Sequence, residues 1–338
     1  MTDTLRKLGL LIGSVLLSVL LVEGILRLRT DPHFLEGEPV DGFEWMKLDP
    51  VIGWKNCNRH WGEDYDKQER MEWTRANVNS LGFRGPELSP DKPSGQKRIV
   101  LIGDSGTFGV MNVGKIDAWH YMPIESYPER LSQTLRRTGT KNAEVINAGV
   151  VGYSASHGLR QFVTQILPLD PDVLIVRFGA NDVEPSWAPE RLSFEPRSRA
   201  VRWLLYRFHD WRLGRLALGY YQSLPIHPKP ESRRLKPYKD FRLSMERIIE
   251  VARDQGVQVM LMDYQVSPAK RCNNLSRQLS QINVIVHELA RTHQLPIVDS
   301  KLAFANSTDP VFAESDCVHP NPDAARILAE LIYEKLPI

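Results

Sequence analysis

The chain of 338 residues is long enough for two domains or one large one, which excludes a minimal module. With 42% hydrophobic and 25% charged residues it fits neither a disordered chain nor a polytopic membrane protein. Lys and Arg number 43 against 41 Asp and Glu, so a polycation that holds nucleic acid through its overall field is excluded.

Residues 8–22 (LGLLIGSVLLSVLLV) form an uncharged run behind Arg6 and Lys7, followed by Glu23, Arg27 and Arg29. Such a run falls short of the roughly 20 residues of a spanning helix, but continuing through Gly24, Ile25, Leu26 and Leu28, with Arg27 snorkelling, reaches that length. The run ends without an Ala-x-Ala-like cleavage site. The expectation is therefore an uncleaved signal anchor, with a cleaved signal peptide and a buried core helix as rivals. Arg6 and Lys7 balance Arg27 and Arg29, so the positive-inside count is nearly a tie. By default the short tail is cytoplasmic, and the protein is single-pass with its body on the periplasmic or extracellular side.

Residues 30–96 lack sustained apolar periodicity and close on SPDKPSG, which predicts an irregular lead-in with short strands, packed on the core. The pattern then changes. Short apolar runs at 98–103, 144–148, 173–178, 257–264 and 296–299 read as buried parallel strands, and helical patterns at 126–137, 156–167, 238–255, 275–293 and 322–336 alternate with them. Such alternation predicts a doubly wound α/β sheet. The expected division is an anchor at 1–29, the lead-in at 30–96 and a main domain at 97–338.

An insert at 183–237 interrupts this alternation. Residues 191–240 carry 12 Lys and Arg against four Asp and Glu, interleaved with Trp203, Tyr206, Phe208, Trp211, Tyr220 and Tyr221. Two readings stand: a cap over the site that touches an anionic polymer or lipid surface, or a pair of amphipathic helices with a solvated basic face.

In an α/β sheet, chemistry collects in the loops after strand C-termini. After the first strand comes Gly103-Asp104-Ser105-Gly106-Thr107. A hydroxyl at a sharp strand-to-helix turn can act as a nucleophile beside backbone N–H groups, although a Gly-rich loop can equally cradle a phosphate. The next loop, 147–154 (NAGVVGYS), brings glycines where backbone must approach closely. The third, Gly179-Ala180-Asn181-Asp182, offers a side-chain amide suited to an oxyanion, or else a helix cap. Near the C-terminus, Asp316 precedes His319 by three residues and can orient its imidazole.

Together these four blocks resemble the SGNH hydrolases, the GDSL esterases and lipases, over residues 97–338, in order and at plausible separations. The resemblance implies a three-layer α/β/α domain with a flavodoxin-like parallel five-stranded sheet. It implies Ser105 as nucleophile, His319 as general base and Asp316 as its orienting partner. The oxyanion hole would comprise the N–H groups of Ser105 and Gly152 and the side chain of Asn181; Gly152 is preferred to Gly149 because it lies five residues after Asn147. Gly106 replaces a leucine at a variable position, and Cys317 is expected to be only a small packing residue. Residues 77–85 (NVNSLGFRG), with the apolar helix before them, also resemble members anchored in the bacterial envelope.

The expected activity is hydrolysis of acyl esters, acetyl or short-chain, with an acylated glycan or lipid among the candidate substrates. Acyl transfer to an envelope polysaccharide, and a non-catalytic envelope scaffold, are the alternatives; a phosphate binder is weaker because it leaves Asn181, Asp316 and His319 without a task. No metal or organic cofactor is required by this chemistry, and no nucleic-acid partner is expected. Cys57, Cys272 and Cys317 lack metal-site spacing and allow at most one disulfide.

Overall fold

In the computed structural model, the residues described are 2–30, 39–40, 43–49, 51–57, 77–114, 121–140, 142–183, 211–223 and 237–337. The chain opens with helix α1 (Thr2–Arg29), which is long and apolar enough to cross a membrane. Leu10, Leu17 and Leu21 are exposed along it, so it is not a core helix. A three-stranded antiparallel sheet follows, β1 (Pro39–Val40), β2 (Phe43–Asp49) and β3 (Gly53–Asn56), in that spatial order. Its Met46 and Trp54 are buried and join the main core.

The body is built from β4 (Lys97–Gly103), α2 (Ser105–Phe108), β5 (Val110–Asn112), β6 (Tyr121–Pro123), α3 (Tyr127–Arg137), β7 (Ala143–Gly149), α4 (Ala155–Gln161), β8 (Val173–Arg177) and α5 (Ala180–Val183). It continues through α6 (Arg212–Ser223), α7 (Pro237–Asp254), β9 (Gln258–Met262), α8 (Asn273–His293), β10 (Ile297–Val298), α9 (Lys301–Ala305) and α10 (Pro322–Lys335). Strands β10-β9-β8-β4-β7 form one parallel sheet in that order, the flavodoxin-like arrangement.

Alternation along each strand explains the layers. Ile99 and Leu101 of β4 face one side, where they meet Tyr127, Leu131 and Leu135 of α3 and Leu328 and Ile332 of α10. Val100 and Ile102 face the other, packed with α4, α7 and α8 through Leu159, Ile248 and Ile282. Because both faces are covered, the strands read as continuous apolar runs, and each such side chain contributes roughly 1.5–3 kcal/mol by its burial. Helix α3 starts where expected because Ser126 and Glu129 form a capping box with Pro128 in the first turn.

The chain leaves β4 for β7 on one side and then crosses to β8 on the other. That reversal is a topological switch point at the C-terminal end of β4, the place where such sheets carry their sites.

Of the insert, α6 is described; residues 184–210 and 224–236, including Trp203, Tyr206 and Phe208, lie outside the described residues. The start of α6 is joined to α1. The Glu23 carboxylate, buried on an otherwise exposed helix, accepts the N–H groups of Arg212 and Leu213 at 3.1 and 2.9 Å, and Arg27 donates to it at 2.6 Å. Arg215 reaches Asp49 of β2 at 3.4 Å. The described part of the insert therefore binds α1 and the lead-in sheet together, with Tyr220 left exposed. Arg27, expected to snorkel, is paired to Glu23 one turn earlier on α1.

Candidate active site

Strand β4 ends on Gly103, where a Cβ would lie 2.0 Å from the Thr107 hydroxyl and 2.6 Å from the Arg177 carbonyl. Only glycine fits there. Asp104 then caps α2: its Oδ1 accepts the Gly106 N–H at 2.9 Å, and its Oδ2 accepts the Tyr264 hydroxyl at 2.9 Å. The Arg177 guanidinium lies 4.0 Å above the Tyr264 ring and 4.0 Å from Asp104 Oδ1. At the other end of α2, Arg84 donates to the carbonyls of Phe108 and Gly109 at 2.7 and 2.8 Å. Ser105 is thus the first residue of a single turn gripped at both ends, with its side chain at a sharp strand-to-helix corner.

The Ser105 Oγ is 2.7 Å from His319 Nε2. On the far side of the ring, His319 Nδ1 lies 2.9 and 3.0 Å from the two oxygens of Asp316. Asp316 also accepts the N–H groups of Asn112, Val318 and His319 at 2.8, 3.0 and 3.1 Å. Burial pushes the Asp316 carboxyl up, but the adjacent His319 and these donors outweigh it and hold it down at about 2. An ionised Asp316 can only accept, so the imidazole proton sits on Nδ1 and Nε2 is left to accept from the serine. Such a relay can draw a proton from a hydroxyl as it attacks a carbonyl.

The C-terminal end of β7 packs directly on α2. A Cβ on Gly149 would sit 2.2 Å from the Phe108 nitrogen, and Asn147 donates to the Phe108 carbonyl at 3.2 Å. Gly152 has φ of +82°, a left-handed backbone that favours glycine, in a turn closed by the Tyr153 N–H donating to Val150 at 3.2 Å. Asn181 joins this loop: its Nδ2 donates to the Tyr153 carbonyl at 3.0 Å. Its neighbour Asp182 accepts the Ala155 N–H at 3.1 Å at the head of α4, while burial pushes the Asp182 carboxyl well above its usual range despite that bond. The structure therefore brings Ser105, His319 and Asp316 into hydrogen-bonding contact, and links Gly152 and Asn181 to each other through Tyr153.

One expectation is corrected. Cys317 is not a simple packing residue, because it forms a disulfide with Cys272 at the start of α8; Cys57 is buried and takes no part in it. The bond sits in the short segment between Asp316 and His319, and Ser267 adds a backbone hydrogen bond to the Cys317 carbonyl at 2.8 Å. Sequence spacing left the pairing open, since Cys272 and Cys317 are 45 residues apart.

Residues 101–327 match the model of the GDSL-like lipase/acylhydrolase family. The chain belongs to that family. This GDSL-like protein is an ester-hydrolysing enzyme. It is 22% identical over 241 residues to an arylesterase of Vibrio mimicus, covering 71% of this chain and 88% of that protein. Among solved structures it is similar to a lipase/acylhydrolase from Enterococcus faecalis, at 18% identity, TM-score 0.46, and coverage of 71% of this chain and 95% of that one. It is also similar to the acetylxylan esterase Axe2 from Geobacillus stearothermophilus, at 17% identity, TM-score 0.48, and coverage of 73% and 97%.

Sequence reasoning missed the residues that brace the Ser105 turn: Arg84, Arg177 and Tyr264. Arg84 belongs to the NVNSLGFRG segment, singled out for its resemblance and given no role; nothing in the local pattern marks the other two. Away from this site, Asp263, His287 and Asp299 are near enough to share a cation, but both Asp263 oxygens already accept hydrogen bonds, from Ser300 and from Gln265.

Proposed function

We propose that the enzyme hydrolyses acetyl or short-chain acyl esters with Ser105 as nucleophile, His319 as general base and Asp316 as the orienting carboxylate. The observation that carries this reading is the relay from Ser105 Oγ to His319 Nε2 at 2.7 Å and from His319 Nδ1 to Asp316 at 2.9 Å. As Ser105 attacks the ester carbon, its proton passes to His319 Nε2, and Asp316 stabilises the imidazolium. The N–H groups of Ser105 and Gly152 and the Asn181 amide receive the negative oxygen of the tetrahedral intermediate. His319 protonates the departing alcohol, then takes a proton from the water that attacks the acyl-serine, and returns it to Ser105 Oγ as the acyl–Oγ bond breaks and the carboxylic acid leaves. Residues 97–338 would form the hydrolase domain, with 30–96 as its lead-in and 183–237 as an insert.

We also infer that α1 is a retained anchor holding the body outside the cytoplasm. Two features support this: the Glu23 bonds that tie α1 into α6, and the Cys272–Cys317 disulfide, a bond that persists in oxidising compartments. The test of the chemistry is hydrolysis of acetyl and longer-chain nitrophenyl esters by the full chain in detergent, beside Ser105→Ala. Turnover should fall by about three orders of magnitude or more in the variant, and acetyl should exceed long acyl chains. Turnover kept without the hydroxyl would sink the assignment. For the anchor, the mature N-terminus should still contain residues 8–22, and protease added outside intact cells should cut the body.

A further inference from the structure

The loop that carries Gly152 is held by a residue far upstream of the matched family domain. Trp54 of β3 is 1% exposed, and its indole Nε1 donates to the Val151 carbonyl at 2.9 Å across 97 residues of sequence. Its own carbonyl accepts the Tyr153 hydroxyl. The indole also packs edge-on against Tyr153, with ring centroids 5.3 Å apart, and against His157 at 4.5 Å. Two residues along, Asn56 donates to the Gly149 carbonyl at 3.0 Å. One side chain and its carbonyl therefore grip the residues on both sides of Gly152, and Tyr153 is in turn the residue to which Asn181 is bonded.

We propose that Trp54 is the positioning residue of the oxyanion hole, fixing the Val151–Tyr153 segment so that the Gly152 N–H and the Asn181 amide converge on one point. The inference rests on the oxyanion assignment made above and adds a part of the chain outside residues 101–327. The physical demand is pre-organisation: donors help a transition state only if they already point at the developing charge, and a displacement of about 1 Å can cost roughly 10² in rate. Within its own turn, Gly152 is enclosed by a single 3.2 Å backbone bond, from the Tyr153 N–H to Val150, in a left-handed conformation that glycine leaves easily. Trp54 removes that freedom without touching substrate.

Trp54→Phe keeps an aromatic ring and deletes the indole donor. In the full chain, kcat for a short acyl nitrophenyl ester should fall about tenfold with KM changed less than about twofold, as for a contact that matters mainly in the transition state. Labelling of Ser105 by a fluorophosphonate should slow in parallel, because the tetrahedral phosphorus places an oxygen in the hole. Asn181→Ala should cost about 10² alone, and the double variant should lose clearly less than the product of the two, because both act on one geometry. Should Trp54→Phe fail to fold, Tyr153→Phe removes the other bond of the grip and carries the same expectation at about threefold. Unchanged kcat in Trp54→Phe with Asn181→Ala still crippled overturns the inference and leaves the hole assignment standing, as does a fully multiplicative double variant. Unchanged kcat in both overturns the hole assignment and the inference with it, while Ser105→Ala reports separately on the nucleophile.

Discussion

The two halves of the candidate site are built by different means. Ser105 stands where β4, flanked by β7 and β8, ends, and its turn is fixed by Asp104, Tyr264, Arg177 and Arg84, all drawn from or packed on the sheet. His319 and Asp316 instead occupy a segment between α9 and α10 outside the five-stranded sheet, held by the isolated bridge from Phe312 to Pro320, by the N–H of Asn112 at the end of β5 and by a covalent bond. The difference teaches that the sheet supplies precision on the serine side, whereas on the histidine side precision is bolted on. A disulfide there does the work that strand pairing does elsewhere.

The sharpest way to break the histidine side is Asp316→Asn. The amide would set a donor against N–H groups that need an acceptor and would favour the wrong imidazole tautomer, so kcat should drop by about 10³ to 10⁴. Steady-state kinetics decides it, and a loss under tenfold would remove Asp316 from the relay.

Next comes the disulfide. Cys272→Ser with Cys317→Ser, or reduction of the native protein, should lower stability by roughly 2–4 kcal/mol, and should lower kcat on the same ester substrate more than it raises KM. Recovery of rate on reoxidation, followed with thermal melts, separates a brace from a passive link. Cleaving the bond without loss of rate would mean that the sheet positions both halves.

Acid titration probes the same half more gently. Asp316 is depressed from 3.8 to about 2, so its stabilisation is complete above the ordinary carboxylate value and is lost as pH falls through its folded value. The shift corresponds to about 2 kcal/mol, to be seen as a slope in urea midpoints between about pH 5 and about pH 2 that Asp316→Asn abolishes. On the serine side, Tyr264→Phe should cost least, about 1 kcal/mol in stability and a few-fold in kcat, because Asp104 keeps its bond to the Gly106 N–H.

That asymmetry also marks what could be read from the chain. Runs such as RIVLIG announce buried parallel strands because burial on both faces forces an unbroken apolar segment, and Ser126 with Glu129 announces a helix start because the capping box is local. Ser105, Gly152, Asn181, Asp316 and His319 stood out because each follows a legible strand or precedes a legible helix. Trp54, Arg84 and the Cys272–Cys317 pair did not, because their effects arise from contacts across 97, 24 and 45 residues that leave no periodic trace. Glu23 was visible only as a blemish in an apolar run, and its partners on α6 lie about 190 residues away.

That glutamate fixes a depth. When α1 spans a bilayer, the segment free of the body ends at Val22, since Glu23 and Arg27 are committed to α6 and to each other. Residues 8–22 reach only about 22 Å as a helix, against a hydrocarbon thickness of about 30 Å. A span that short would call for local thinning of the membrane, which would bring α6 and its exposed Tyr220 toward the water–lipid boundary.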